Sequence, residues 1–594
     1  MTKLFPHFPR QYTRYFLLLL IPLVSMLPLP DFWITQLNYI GLYSLVAMGL
    51  VLLTGVGGLT SFGQAAFVGI GAYTSAYLCV SAGFSPWVTV WIGLAITAVS
   101  ALIVGWLTLR MSGHYLPLAT IAWGLSLYYL MGNLEALGKY DGILGVPSIG
   151  LFGWDLGAGR PFFVLVWLMV LLGAYALLNL LDSRTGRAIR ALKTAGQMAE
   201  AMGVNTLQHK IGIFVIAALY ASLSGWLFAH FQRTVNPSPF SLKFGIEYLF
   251  MAVLGGVGHV WGAITGALFT KVMEDQLQVL LPKLIGTSGS YEVIVFGIVL
   301  VLVLKYLPDG AWSLVGRHFP TLQRQNTWFK AEPLPEKSKP TLGDVVLDVH
   351  QIRKQFGGLV AVNDISFQVK SGQIVGLIGP NGAGKSTTFN LVTGVLGLTS
   401  GTVKFRGEVI SGMPSRDIAT RGMSRTFQHV KMIPDMTVLE NVALGGHLRG
   451  SKGALSAMLR LDREEENRLM REAARQLERI GMAEHMHDLA GNLAMGPQRL
   501  MEIARALCSD PALLLLDEPA AGLRHKEKQA LAAVLRQLRS EGMSILLVEH
   551  DMDLVMDVTD HIVVMEFGTH LMEGTPAEVQ ASEKVRAAYL GTEH

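Results

Sequence analysis

Between residues 15 and 308 the chain carries one long apolar run after another, and nothing else in it restricts the fold as much. A helix that crosses a bilayer needs about 20 mostly apolar residues. Stretches of that kind lie near 15–30, 37–55, 60–82, 86–109, 115–134, 161–181, 210–231, 246–272 and 291–308. One such run alone is compatible with a buried helix of a soluble protein. So many in succession predict a polytopic α-helical membrane domain. From Val345 onward the pattern changes to short β-branched strands alternating with amphipathic helices, which predicts an α/β domain around a parallel sheet. The 594 residues, too many for one domain, therefore divide into a membrane domain over 1–310, a linker over 311–343 and an α/β domain over 344–594. Pro320, Pro333, Pro335 and Pro340, with the charged "EKSKP", predict an extended connector between the two.

The net charge of +4 is small for this length and gives no reason to expect a nucleic-acid partner. The two cysteines, Cys79 and Cys508, fall one in each half, so neither a disulfide framework nor a zinc site is expected.

The chemistry is written in the second half. "GLIGPNGAGKSTT" follows the strand "QIVGLI" and opens a helix. It fits the spacing G-x-x-x-x-G-K-S from Gly379 to Ser386. In such a loop the glycines let the backbone N–H groups turn toward phosphates, and the helix start adds partial positive charge. Gly379, Pro380, Asn381, Gly382, Ala383, Gly384 and Thr387 are the expected cradle. Lys385 should reach the outer phosphates of ATP, and Ser386 its Mg²⁺. "ALLLLDEP" reads as a buried parallel strand ending in two acids. Asp517 is placed to hold Mg²⁺, and Glu518 to act as general base on the attacking water.

An ATP-dependent half must lie in the cytoplasm, which constrains the membrane half. The N-terminus is basic, and "SMLPLPDFW" offers no small-residue cleavage site, so the first run is read as a membrane helix with its basic end inside. The loop "DSRTGRAIRALKTAGQ", with Arg184, Arg187, Arg190 and Lys193, is also expected inside. Both ends inside require an even number of crossings, eight or ten, against nine apolar stretches. "IEYLFMAVLGGVGHVWGAITGALF" is the one to reread. Gly255, Gly256 and Gly258 interrupt it beside His259, which predicts two half-helices folding back. Gly258, Gly262 and Gly266 have the small-xxx-small spacing that lets helices approach closely. A second glycine-rich piece holds Ser61 and Gln64 at membrane depth, either lining a polar path or hydrogen-bonding between helices.

Further pieces appear in the order found in ATP-binding cassette (ABC) ATPases, which residues 345–594 resemble. "SRTFQHV" puts Gln428 where these domains have a glutamine that senses the γ-phosphate, contributes to the metal site and touches the membrane domain. "SILLVEHD" puts His550 where they have a γ-phosphate histidine. "RKQFGGLVAV" puts Phe356 where an aromatic ring stacks on adenine. "LAMGPQ" occupies the place of the family's Leu-Ser-Gly-Gly-Gln signature, which grips the ATP held by a partner's P-loop. Leu493 and Gly496 match. Ala494 lacks the serine hydroxyl, Met495 replaces a glycine, and Pro497 offers no N–H. Arg524 stands where an Asp or Asn is usual. The P-loop face is complete and the signature face impaired.

The membrane half is similar to the permease subunits of branched-chain amino acid (Liv-type) ABC importers, on "GLYSLVAMGLVLLTGVGGLTSFGQAAFVGIGAYTSA" and "GIEYLFMAVLGGVGHVWGAITGALF". "AEAMGVN", Ala199 to Asn205, lies where such permeases carry a short coupling helix. The long insert "LDREEENRLMREAARQLERIGM" resembles that of the matching ATPase subunit. The resemblance implies a permease fused to an ATPase, importing branched-chain or other hydrophobic amino acids across a bacterial cytoplasmic (inner) membrane. It implies a second permease subunit, a second ABC ATPase subunit and an extracytoplasmic substrate-binding protein as partners. Relatives of this importer type carry urea, short amides or aromatic acids, and no residue here separates those substrates. An exporter would show six long spans with long cytoplasmic helical extensions, and a mere membrane anchor one or two helices. The anchor does not match this many apolar stretches, and the exporter is the less favoured alternative because this chain has more spans, glycine-broken segments and short loops.

Overall fold

The structure is a computed structural model and describes residues 21–110, 115–157, 159–285, 292–307, 310–316 and 327–590. Its chain forms two compact units. The first comprises Met1–Asp182, Leu207–Gln325 and Ala457–Arg460, and the second Ser183–Thr206, Asn326–Ser456 and Leu461–His594. The basic loop 183–206 therefore belongs to the same compact unit as the α/β fold, although apolar helices flank it in sequence.

The first unit is helical. Its helices are α1 (Asp31–Leu50), α2 (Gln64–Ala82), α3 (Pro86–Thr108), α4 (Tyr115–Asn133) and α5 (Gly159–Leu181). After the basic loop, with its α6 (Arg184–Thr194) and α7 (Gly196–Ala201), come α8 (Thr206–Gln232), α9 (Leu242–Gly255), α10 (Val260–Ile285) and α11 (Glu292–Tyr306). Pro86 at the first turn of α3 fits because its missing N–H has no intrahelical partner to lose there. Helix α1 widens into a π-helical turn, Val51–Val56, before Gly57.

Neither expected count, eight or ten crossings, is reached among the described residues. Five helices are long and apolar enough to cross a membrane, and the α9–α10 pair makes a sixth if taken as one span. Helix α11 covers 15 described residues, and positions 286–291 before it and 308–309 after it lie outside the described residues. Residues 15–20 of the first expected span lie outside the described residues.

The glycine-broken stretch is bent by 118° between α9 and α10. Its second arm is not the expected half-helix. It continues for 26 residues, past the apolar run, because Lys271 is paired with Glu274 at 3.0 Å and Asp275 at 3.1 Å on the same helix. Of the three spaced glycines, Gly262 and Gly266 make the close crossing. A Cβ on Gly266 would sit 1.8 Å from the Met251 carbonyl oxygen, and one on Gly255 1.8 Å from that of Gly262. Gly258 takes no part, since a Cβ there would meet nothing within 4 Å. Ser61 and Gln64 are buried, and the Ser61 hydroxyl accepts from Gly63 N–H in its own loop. Hydrogen bonds between helices are made elsewhere, among them Thr97 to Ser222 (2.9 Å), Ser75 to His230 (2.8 Å) and Ser224 to the Leu42 carbonyl (2.8 Å).

The second unit has two sheets. β1 (Val345–Phe356) and β2 (Leu359–Lys370) form an antiparallel sheet with β4 (Ser400–Phe405) and β5 (Glu408–Val409), in the order β2-β1-β4-β5. The other sheet runs β6 (Met423–Arg425), β7 (Leu513–Asp517), β8 (Ser544–Val548), β3 (Ile374–Ile378), β9 (His561–Glu566) and β10 (Thr569–Gly574), parallel except for the last pair. β3, β7 and β8 are buried at every position, as central strands of a parallel sheet covered on both faces must be. Apart from Gly376, Asp517 and Ser544, each consists of isoleucine, valine or leucine for that reason. Helices α12 (Lys385–Val392), α13 (Val438–Ala443), α14 (Arg463–Arg479), α15 (Met495–Leu507) and α16 (His525–Ser540) complete the unit.

The later part of the linker is extended but strapped down. Lys337 donates from its backbone to Asp510 and from its side chain to the Ser509 carbonyl, Arg449 bonds the Pro335 carbonyl, and Trp328 is buried in the helical core.

Candidate functional site

β3 ends at Ile378, and the chain turns through Gly379 to Gly384 before α12 begins at Lys385. Gly384 is fixed by geometry, with φ at +92° and the Ala361 carbonyl oxygen 2.5 Å from where a Cβ would lie. Gly382 also has positive φ, +84°, but faces open space. The first of these curls the loop, and the second leaves its outer rim bare for a ligand to approach. The first intrahelical bond runs from Thr388 N–H to the Gly384 carbonyl, 2.9 Å. The N–H groups of Lys385, Ser386 and Thr387 precede it and point off the helix start, where negative charge is favoured. The Lys385 ammonium folds back onto the loop and donates to the carbonyls of Gly379 (2.6 Å) and Pro380 (3.0 Å). Burial pushes its pKa down, and the Glu518 charge opposes the shift.

β7 delivers Asp517 and Glu518 beside this loop. Asp517 is buried, and its Oδ1 has no hydrogen-bond partner. Burial pushes its carboxyl up to about 6, opposed by Arg425 at 3.8 Å and reinforced by Glu518. A buried carboxylate oxygen without a donor fits a cation. Ser386 is the second residue of α12. Glu518 takes a left-handed conformation, φ +45°, and donates its N–H to Val548 at the end of β8. Its carboxylate accepts from the Gln428 amide at 3.0 Å and lies 3.8 Å from His550 Nδ1. Gln428, Glu518 and His550, widely separated in sequence, thus meet around one carboxylate. Phe356 is exposed at the end of β1, with Lys354 Nζ 5.0 Å from its ring centre.

Glu549 was missed by sequence reasoning. It is fully buried and accepts from Ala520 N–H (2.6 Å), His550 N–H (3.0 Å) and Asp551 N–H (3.4 Å). It ties the turn after Glu518 to the turn carrying His550. Its only sequence signal was an acid directly before the histidine.

The signature stretch starts α15, with Ala494 as N-cap and no side-chain cap. Pro497 is its third residue. Gly496 packs so that a Cβ would meet the Glu527 carboxylate at 2.7 Å, and Glu527 accepts from Arg524 N–H at 2.8 Å. A carboxylate, rather than a hydroxyl, therefore stands beside this helix start. Leu493 packs on the helical core, and its carbonyl accepts from Gln498 at 2.8 Å. Behind the tip, Arg499 donates to the carbonyls of Phe427 (2.9 Å) and Gln428 (2.5 Å). Glu502 and Arg505 hold the N–H and carbonyl of Lys431. The glutamine segment is thereby fastened to α15.

The loop 183–206 forms part of this unit. The helical part of the expected coupling segment, α7, is Gly196–Ala201, earlier than the motif suggested, because Gly203, at φ +85°, lies beyond its end. Met198, Ala199, Met202 and Val204 share a core with Ile433, Met436 and Leu444, against Phe427 beside Gln428.

A P-loop strand and helix, an Asp-Glu strand end, a glutamine and a histidine on one carboxylate, and a domain of apolar helices together define an ABC transport ATPase joined to its membrane domain. Residues 33–304 match the permease component of branched-chain amino acid transport systems, 362–521 the ABC transporter family, and 570–594 the branched-chain amino acid ATP-binding cassette transporters. The chain is 45% identical over 249 residues to LivG, a high-affinity branched-chain amino acid transport ATP-binding protein of Salmonella typhimurium, covering 41% of this chain and 98% of that one. It is 43% identical to BraF of Pseudomonas aeruginosa over the same length and shares. A nucleotide-free ATP-binding cassette from an ABC transporter aligns at 30% identity and a TM-score of 0.37, over 42% of this chain and 99% of that one. The chain belongs to the branched-chain amino acid ABC transporter family, as a permease component fused to an ATP-binding, ATP-hydrolysing component.

Proposed function

We propose that the chain imports branched-chain or other hydrophobic amino acids across a bacterial inner membrane, with its ATPase half in the cytoplasm. The observation that carries the coupling of hydrolysis to transport is the loop 183–206. It joins two membrane-length helices, and its apolar face is buried against the glutamine segment of the ATPase.

Lys385 leaves the two loop carbonyls to bind phosphate oxygens, and the N–H groups at the start of α12 bind the rest. Phe356 offers its exposed ring to the adenine. Ser386, Gln428 and Asp517 would hold Mg²⁺, whose chemistry when bound is to neutralise phosphate charge. Glu518 accepts the proton of the attacking water. Gln428 holds the Glu518 carboxylate in place and His550 faces the γ-phosphate. The linker covers residues 311–343 between a permease over 1–310 and an ATPase over 344–594.

A chain with one ATPase and one permease needs partners. At the signature tip Ala494 offers no hydroxyl donor and the Glu527 carboxylate stands beside Gly496, so two copies would pair each good P-loop with a poor signature. We propose a complex with a second permease, a different ATPase carrying an intact signature, and an extracytoplasmic binding protein. ATP closes the two ATPases, the loop carries closure to the membrane helices, and hydrolysis resets them. Leucine uptake into cells expressing the complex, with Glu518→Gln as control, tests the reading. Uptake that persists in the control, or urea uptake in place of leucine, would overturn it.

A further inference from the structure

The apolar contact of α7 is not the loop's only hold on the ATPase. Arg187, on α6, is 2% exposed, and its guanidinium engages both carboxylate oxygens of Glu466, itself 1% exposed. The second of these bonds measures 3.0 Å. Glu466 lies in the first turn of α14, the charged insert helix. Beside this pair Arg184 donates to the carbonyls of His447 (2.5 Å) and Lys452 (2.8 Å), and lies 3.8 Å from Glu465. Glu465 in turn accepts from the N–H groups of Ser451 (2.8 Å) and Lys452 (3.0 Å).

The same face of α14 completes the path, since Met470, one turn beyond Glu466, has its sulfur 3.7 Å from the Arg187 guanidinium. Met470, Ala473 and Leu477 share one core with Met501 and Ala504 of α15. Helix α15 begins at the signature tip and is bolted to the glutamine segment by Arg499, Glu502 and Arg505. A continuous packed route therefore runs from the nucleotide-facing tip through α15 and α14 to Arg187 in the loop.

A buried ion pair is a poor way to gain stability, since an apolar pair of similar volume does as well or better. What a two-pronged Arg–carboxylate contact adds is a fixed register. The alanine-rich face of this loop, Ala188, Ala191, Ala195 and Ala199, packs through small side chains, and a guanidinium gripping two oxygens adds a directional contact to it.

We propose that α14 is a lever that receives the loop of its own chain, and that Arg187 and Glu466 are positioning residues for coupling. Nucleotide arriving at the weakened signature face moves α15 and α14 as one piece, and the ion pair converts that motion into displacement of the loop. The signature face then serves transmission more than hydrolysis. The inference rests on the transport reading above and adds a role for the insert, separate from the α7 contact.

The test uses the full chain with its co-expressed partner subunits. Glu466→Gln is expected to raise the ATP consumed per leucine imported about tenfold, while ATP turnover stays near the unmodified level. The deciding variant is the apolar pair Arg187→Met with Glu466→Leu, which preserves packing. It is expected to match or exceed the unmodified thermal stability and still show the raised ratio. If the apolar pair couples normally, the contact is only packing and the proposal is wrong. A second readout needs no substrate. On ATP addition in a Glu518→Gln background, hydrogen exchange should change in α14, α15 and the loop. In the apolar pair it should change in α14 and α15 alone; a loop response there would also overturn the proposal. Absence of leucine uptake by the unmodified complex would instead count against the substrate reading, with the exchange result still deciding the lever.

Discussion

Glu518 is the residue on which hydrolysis turns. It is held by Gln428 and its backbone is pinned to β8, so Glu518→Gln should leave the fold intact and remove the proton acceptor. ATP turnover of the assembled complex should fall by about 10²–10⁴, read by phosphate release, with nucleotide binding retained. Asp517 makes a pH prediction. Its carboxyl is raised to about 6 by burial, above its unfolded value, so its neutral form favours folding. That contribution is complete below about pH 4 and lost as the pH rises through 6. At pH 8 the ionised, nucleotide-free site carries a penalty on the order of 3 kcal/mol. Asp517→Asn should therefore raise the melting temperature of the nucleotide-free protein at pH 8 and change it little near pH 4. An equal effect at both values would show that the carboxylate is not strained.

At the scale of elements, two helix features are separable by single changes. Ala494 is the N-cap of α15 and offers it no side-chain oxygen. Ala494→Ser should stabilise the protein by about 1 kcal/mol. It should also raise ATP turnover in the complex, by supplying a donor worth roughly 1–3 kcal/mol at a γ-phosphate. Higher stability without faster turnover would mean that this tip does not touch the reacting nucleotide. In the membrane unit, Gly266→Val must drive a side chain into the Met251 carbonyl, whereas Gly258→Ala enters open space. The first should abolish a monodisperse elution profile in detergent and the second leave it unchanged. If both are tolerated, α9 and α10 do not cross at these glycines.

At the scale of the molecule, the impaired tip sets the assembly. The chain purified alone should have the mass of one copy and no Glu518-dependent turnover. Turnover should appear when an ATPase with an intact signature is co-expressed. Light scattering with a phosphate-release assay separates this from the alternative, a stable dimer of the chain that hydrolyses ATP unaided.

Much of this protein was determined locally, by residue order. The run Gly379 to Ser386 between a buried strand and a helix can form little but a phosphate loop, because its glycines and helix start dictate the backbone. The leucine strand before Asp517 and the break at Gly255–Gly256 are local in the same sense. What only the tertiary structure decided depends on distance across the fold. Gln428 and His550 converge on Glu518 because β7 and β8 are neighbours in the sheet. Glu549 became legible when its three backbone donors came into view. The extent of α10 was misjudged because hydropathy ends at the first charges, while Lys271 finds its partners on the same helix. Arg187 looked like one more positive charge on a cytoplasmic loop. Its meaning comes from Glu466, 279 residues away, and no periodicity in a chain records a pairing of that kind.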